Sequence, residues 1–139
     1  MINIVRRAGW CFTVPGLPVP KGRPRVVHKD RAGQMLKKPH TFTPKATKVY
    51  EAKVAAMALR TGVRRMKGPV SLEIQVFLSG TTVMDLDNVY KACADGLEGI
   101  AYENDRQVWG GSFERFTDEK DPRVTIILIP YVAPNDETP

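Results

Sequence analysis

The sequence predicts an α+β domain, in which a small mixed sheet of about four strands carries two main helices. Apolar and polar residues alternate strictly over 70–78, as is typical of a half-buried strand. Apolar residues recur at helical spacing after residues 43–44 and again after Asp87, which predicts two amphipathic helices. The nearly continuous apolar run at 123–129 predicts a central strand. Together with a strand at 10–14, these elements form one mixed sheet with helices packed on it.

The first third of the chain contains one predicted strand, a long basic loop and the first helix. Residues 10–14 are rich in aromatic and β-branched side chains and stop at Pro15-Gly16, so they predict a strand followed by a turn. A proline-punctuated loop follows over about 16–43. Thr43 is the expected N-cap of the first helix, and Gly62 ends it. Its predicted apolar face consists of Ala46, Tyr50, Val54, Met57 and Ala58.

The second helix is predicted over 87–98, with Asp87 as its N-cap. Residues 107–116 predict a further strand, in which Gly110-Gly111 marks a β-bulge. The tail over about 133–139 is expected to be frayed. All of this fits a single domain spanning 1–139. The predicted apolar stripe of the second helix consists of Val89, Ala92, Cys93, Gly96 and Leu97.

Composition excludes several classes of protein. With 42% hydrophobic and 26% charged residues and no apolar run of about 18 residues, the chain predicts no membrane span. Its start lacks the pattern of a signal peptide. Cys11 and Cys93 are expected to be buried thiols rather than a disulfide, which favours a cytoplasmic protein. His28 and His40 have no partner at zinc-ligand spacing.

Charge is distributed very unevenly along the chain. Residues 1–67 contain 16 Lys and Arg against two acids, a net charge of +14, whereas residues 68–139 contain 5 against 13, a net charge of −8. A basic half beside an acidic cluster suits a polyanionic substrate that is delivered to a metal site. The alternative is an ordinary solvated basic surface.

The acidic stretch that begins at Asp85 is the candidate catalytic site. Asp85 and Asp87 are two residues apart, so in extended backbone their side chains share one face with Cα atoms roughly 6.5 Å apart. Carboxylates placed in this way can hold one divalent ion or a pair of ions. Hard oxygen ligands without nearby His or Cys favour Mg²⁺, with Mn²⁺ as a substitute.

Two charged residues further along the second helix leave alternatives open. Lys91 lies one turn from Asp87, where it can neutralise developing charge or orient the water, or simply form an ion pair with Asp87 or Asp95. Asp95 is either a supporting partner of Lys91 or a surface charge.

The basic segment 20–25 predicts a phosphate-binding loop. It alternates Lys21, Arg23 and Arg25 with proline and glycine, which stiffen or turn the backbone. Guanidinium groups bind phosphates through two parallel hydrogen bonds. A flexible basic loop that binds polyanions loosely is the alternative.

These residues, in this order, resemble the RusA family of Holliday junction resolvases, endodeoxyribonucleases often carried by phages and prophages. The resemblance covers roughly 12–130. It rests on Pro20-Lys21-Gly22-Arg23-Pro24-Arg25, Asp85-Leu86-Asp87-Asn88, Lys91, Asp95, Asn104-Asp105 and Gln107-Val108. It implies a RusA-like fold, DNA with four-way junctions as the preferred substrate, magnesium dependence, a homodimer and symmetric nicking of two strands, in the cytoplasm of a bacterial or phage-infected cell.

The resemblance also assigns roles to individual residues. It implies that Asp85, Asp87 and Asp105 are the metal ligands and that Lys91 is the essential lysine. Asn88 and Asp95 are supporting residues in this scheme. The family commonly has two adjacent aspartates where this chain has Asn104-Asp105. Two other functions remain open from the residues alone: a flap or nonspecific phage endonuclease, and a non-catalytic DNA-binding module.

Overall fold

The computed structural model describes residues 9–23 and 25–134. Of Arg25 it describes the backbone but not the side chain. In chain order its elements are β1 (Trp10–Pro15), β2 (Arg25–Lys29), β3 (Met35–Phe42), α1 (Lys45–Thr61), β4 (Val70–Leu78), α2 (Leu86–Leu97), a 3-10 turn (Asp105–Gln107), β5 (Val108–Thr117) and β6 (Arg123–Pro130).

The main sheet has four strands in the order β1-β6-β4-β5. The β1–β6 and β6–β4 pairs are antiparallel, whereas β5 runs parallel to β4. Helix α2 lies in the connection between these two strands, because parallel neighbours need a long crossover connection, which is usually a helix. The predicted α+β fold with a mixed sheet of four strands and two helices is therefore confirmed, and β6 is a central strand as predicted.

The core lies between the sheet and the two helices. Alternate residues of β4 are buried along its whole length, which confirms the strand predicted from alternation. The apolar stripe predicted for α2 is buried in full. Helix α1 contributes Tyr50, Val54 and Ala58 to the core, but Ala46 is exposed and Thr47 is buried in its place. The hydroxyl of the buried Thr47 accepts a hydrogen bond from the N–H of Gly22, which offsets the cost of burying it.

The prediction of an irregular loop over 16–43 was wrong for its second half. Residues 25–42 form a separate two-stranded antiparallel sheet, β2–β3. Its turn is closed by Asp30, whose carboxylate accepts hydrogen bonds from the N–H groups of Ala32 and Gln34 at 2.9 Å. Gly33 adopts the left-handed conformation in this turn, with φ of 85°. Most β3 residues are exposed, so no alternating pattern announces the strand.

Both helices begin one or two residues away from the predicted caps. Helix α1 has Pro44 at its N-cap position and no side-chain cap, so the role predicted for Thr43 was wrong. Its predicted end is confirmed by Gly62, which is left-handed at the C-cap. Helix α2 is capped by Asp85 rather than Asp87 and ends at Leu97.

The bulge predicted at Gly110-Gly111 is confirmed, because the pairing of β4 with β5 shifts by one residue between Val70 and Ser71, next to Gly110. Cys93 is buried, but Cys11 is exposed on β1, so the burial predicted for it was wrong. Most of the tail predicted to fray, from residue 135 onward, lies outside the described residues. No helix among the described residues is long and apolar enough to cross a membrane.

Candidate active site

The first carboxylate of the acidic motif starts helix α2. Asp85 has extended backbone dihedrals at the N-cap, and its side chain accepts hydrogen bonds from both nitrogens of Asn88, the backbone N–H at 3.3 Å and the side-chain amide at 2.8 Å. These two bonds hold the carboxylate at the end of the helix, where the free N–H groups and the helix dipole favour negative charge. Asn88 therefore orients Asp85, and the supporting role predicted for Asn88 in the reaction stays a prediction.

The second carboxylate belongs to the helix itself. Asp87 lies in the first turn of α2, so Asp85 and Asp87 do not lie in one extended strand and do not share a face as expected from their spacing. Asp87 forms an ion pair with Lys91 at 3.3 Å, four residues further along the helix. Both side chains are more than half exposed, so this pair contributes little to stability and the lysine is available to another anion.

The third carboxylate lies in a turn that is held by amide side chains. Asp105 is exposed at the start of the 3-10 turn. Asn104 accepts the N–H of Arg106 at 3.0 Å, a cap that an aspartate at this position would provide equally. Gln107 donates to the carbonyls of Met66 and Gly68, both at 2.9 Å. Gln107 thus ties the turn to the chain before β4, a role that reasoning from the sequence missed.

An open groove of about 330 Å³ joins helix α2 to strand β5. It is lined by Asp87, Tyr90 and the first six residues of β5, 108–113. Tyr90 donates its hydroxyl hydrogen to the carbonyl of Leu72 at 2.8 Å, and burial, chiefly, raises the pKa of Tyr90 to about 12. The 3-10 turn that begins at Asp105 directly precedes this strand, so the groove runs from the second carboxylate of the motif to the strand that follows the third.

The chemistry of these donors fits a hard divalent cation, because three exposed carboxylates supply only oxygen ligands. Over 9–23 and 25–134, however, no three His, Cys, Asp or Glu side chains gather at a point where they could hold one ion. Asp85 is instead hydrogen-bonded to Asn88, and Asp87 is paired with Lys91. An ion that takes all three predicted ligands would require these side chains to move closer together.

The basic segment meets the acidic motif through Lys21. The ammonium of Lys21 lies 3.0 Å from Glu51 of α1 and 2.9 Å from Asp95 of α2. Burial lowers the pKa of Lys21, but the hydrogen bonds and charges of Asp95 and Glu51 together raise it by more, so the net shift of this pKa is upward. Asp95 is therefore the partner of Lys21 and not of Lys91. Glu51 was missed because it lies 30 residues from Lys21, and no local pattern connects the two.

The structure describes the side chain of only one of the two arginines predicted to bind DNA. Arg23 is exposed immediately after the segment anchored by Lys21. The side chain of Arg25 lies outside the described part of the molecule. Their contacts with phosphate stay predictions.

Comparison with known proteins identifies the family. The model of the family described as endodeoxyribonuclease RusA matches residues 15–129. The uncharacterized protein YqaN from Bacillus subtilis (strain 168) is 30% identical over 139 residues, a match that spans 84% of this chain and 93% of that protein. The family match includes the basic segment, residues 85–88, which we call the acidic turn of α2, and the 3-10 turn. The chain therefore belongs to the RusA family of endodeoxyribonucleases.

Proposed function

We propose that this protein is a Mg²⁺-dependent endodeoxyribonuclease that resolves four-way (Holliday) DNA junctions by paired, symmetric nicks. The observation that carries the proposal is the exposed acidic turn of α2, which lies one backbone hydrogen bond away from the basic segment. The N–H of Lys21 donates to the carbonyl of Asn88 at 2.8 Å. Groups that attract a phosphate backbone thus lie beside groups that suit a divalent ion.

Asp85, Asp87 and Asp105 would hold the Mg²⁺ ion, with Mn²⁺ as a substitute. When bound, the ion supplies Lewis-acid stabilisation of the phosphoryl group. The protein contributes the placement of the carboxylates: Asn88 orients Asp85, and the side chains of Gln107 and Asn104 accept the backbone N–H groups of Glu103 and Arg106, on the two sides of Asp105.

Lys91 would stabilise the negative charge that develops on the phosphoryl group. Its present partner, Asp87, is an exposed carboxylate one helical turn away, so a phosphate oxygen can replace it without exposing a buried charge. A cation that faces the reacting group contributes most when water is excluded around it, and the bound DNA would exclude that water.

A cleavage assay on synthetic DNA tests the function. Equal concentrations of a four-way junction, a duplex and a flap of matched length are incubated with the protein, with and without Mg²⁺. We expect cleavage of the junction only with Mg²⁺, at symmetrically related positions on two strands. Faster cutting of the flap or duplex would replace the proposal with another nuclease specificity. Salt-sensitive binding without any cleavage would indicate a non-catalytic DNA-binding module.

Arg23→Ala should weaken junction binding and reduce its dependence on salt. Each phosphate contact that is lost lowers the slope of log K against log salt by about one unit. Titrations at several salt concentrations measure this slope, and Arg25→Ala provides a second test of the same segment. Arg60→Ala, at the other end of α1, removes the same charge as a control and should leave the slope unchanged. An unaltered slope in Arg23→Ala would mean that this residue does not touch phosphate.

The proposed homodimer follows from the two cuts, because one chain of this size offers one acidic site. Strand β5 lies at the edge of the sheet and exposes Trp109 at 65% and Phe113 at 44%, while Phe116 is stacked on Phe77 in the same subunit. The first two aromatic residues are therefore the candidates for a two-fold interface.

Sedimentation equilibrium at micromolar concentration should give twice the chain mass of 15.5 kDa. Trp109→Ala/Phe113→Ala should shift the protein toward the monomer, because it removes the exposed apolar area. Val83→Ser removes another exposed apolar side chain, in the loop between β4 and α2, and serves as the control. A wild-type monomer that still makes paired nicks on one junction would refute the dimer.

A further inference from the structure

The segment Pro20–Gly22 is anchored to both helices. The N–H of Lys21 donates to the carbonyl of Asn88 in α2, and the N–H of Gly22 donates to the hydroxyl of Thr47 in α1 at 3.0 Å. Two successive backbone N–H groups of a segment outside the main sheet are thus satisfied by two different helices. The course of the chain is fixed at this point although it belongs to no strand or helix.

The side chain of Lys21 adds a third link. Its ammonium binds Glu51 of α1 and Asp95 of α2, and the three side chains are only 23%, 20% and 31% exposed. Charge-assisted hydrogen bonds of this kind are stronger than neutral ones, and partial burial reduces their screening by solvent. One lysine therefore connects the basic segment to both helices at once.

Gly22 shows how closely the segment lies on α1. A Cβ atom built on Gly22 would come within 2.9 Å of Cγ of Pro44 and within 3.1 Å of the Thr47 hydroxyl oxygen. The backbone therefore rests directly against the first turn of the helix. This contact leaves no room for the segment to shift toward α1.

The anchored residues place Arg23 with respect to the acidic turn. Arg23 is two residues after Lys21, so their Cα atoms are at most about 7 Å apart. The carbonyl that Lys21 binds belongs to Asn88, the residue whose amide nitrogens hold Asp85. The start of the basic segment and the first carboxylate are thus linked through one residue.

We propose that Lys21 is a positioning residue, which fixes the basic segment in register with the acidic turn and does not itself contact DNA. This inference rests on the proposed function. A phosphate that approached the Lys21 ammonium would meet two carboxylates already bound to it, and their charges would repel it. The same arrangement lets Arg23 bind the phosphate backbone at a defined distance from the site of cleavage.

Four variants test this role: Lys21→Met, Glu51→Gln/Asp95→Asn, the triple variant that combines them, and Lys21→Arg. Misplacement by about 1 Å can reduce a rate by about a hundredfold, so we expect Lys21→Met to lower kcat for junction cleavage by tenfold to a hundredfold. KM and the salt slope of binding should stay near the wild-type values, because Lys21 makes no phosphate contact. Lys21→Arg, whose fork can still reach two carboxylates, should restore most of kcat.

The triple variant distinguishes the effect of losing the anchor from the effect of leaving the carboxylates of Glu51 and Asp95 unpaired. It removes the unpaired carboxylates that Lys21→Met leaves behind, so its kcat should stay as low as that of Lys21→Met, and the effects should not add. Recovery of kcat in the triple variant would overturn the positioning role. A salt slope reduced by about one unit in Lys21→Met would also overturn it, because that result marks a direct phosphate contact.

Hydrogen exchange provides a readout that does not depend on activity. Lys21→Met should accelerate exchange of the backbone N–H groups of residues 21 and 22, whereas Lys120→Met, at an exposed turn, should not. Unchanged exchange in Lys21→Met refutes the anchor even if the wild-type enzyme cuts junctions. If the wild-type protein cuts no DNA, the proposed function and the positioning role fall together, and exchange still reports whether the anchor exists.

Discussion

Asp85→Asn, Asp87→Asn and Asp105→Asn should each reduce junction cleavage by at least about a hundredfold, since loss of a group that merely supports a metal ligand already costs 10–100-fold. Junction binding should be retained or become tighter, because each change also removes a charge that repels phosphate. At Asp85 the exchange is conservative for the fold, since asparagine caps helices as well as aspartate does. Single-turnover cleavage at saturating protein, with binding measured separately without Mg²⁺, separates the two effects.

Glu103→Gln is the matched control for these variants. Glu103 is exposed two residues before Asp105, and its change to glutamine removes one negative charge from the same turn. Its cleavage rate should stay close to that of the wild type. Full activity in any one of the three aspartate variants would exclude that residue from the site and would show how many carboxylates the reaction uses.

Gly111→Ala should strongly destabilise the sheet. Gly111 has a φ of 141°, and a Cβ atom added to it would lie 1.7 Å from the carbonyl oxygen of Leu72 in the neighbouring strand. The strand must move away or the β4–β5 pairing must break locally. We expect a loss of about 3 kcal/mol or more in the free energy of unfolding, since backbone strain and overpacking each cost 1–3 kcal/mol.

Gly33→Ala isolates the backbone component of this effect. Gly33 also has a positive φ, 85°, but a Cβ atom there has no neighbour within 4 Å. Its alanine variant should lose only about 1–2 kcal/mol, the usual cost of a left-handed alanine. Urea denaturation of both variants gives the comparison. Equal losses at the two positions would mean that the contact with Leu72 relaxes without cost.

Elements with one buried and one exposed face could be predicted from the sequence. The alternation of β4 and the stripe of α2 record which residues are buried, so both elements and their faces were predicted correctly. The hairpin β2–β3 shows no such apolar pattern, because nearly every residue of β3 is exposed. Its only local signal was the turn at Asp30, and the prolines and lysines around it are typical of a loop.

The candidate site could be predicted as a set of residues but not as an arrangement. Asp85 and Asp87 are both good N-caps, so the sequence alone does not tell which one begins the helix. Their relation to each other changes with that choice, from neighbours on an extended chain to successive positions of a helical turn. The partners of Lys21 are even less accessible, because Glu51 and Asp95 come near it only through the packing of α1 on α2.

The exposure of the hairpin β2–β3 has a consequence for the energetics of DNA binding. A two-stranded sheet is at best marginally stable in water, so the free energy needed to open it locally is small compared with that of the main sheet. Strand β2 begins only three residues after Gly22 and carries Arg25 at its start. If the proposed function holds, the basic segment 20–25 combines a fixed base at Pro20–Gly22 with a hairpin that can adapt its shape to the DNA at low cost. The affinity for DNA would then include the entropy lost when the hairpin is ordered.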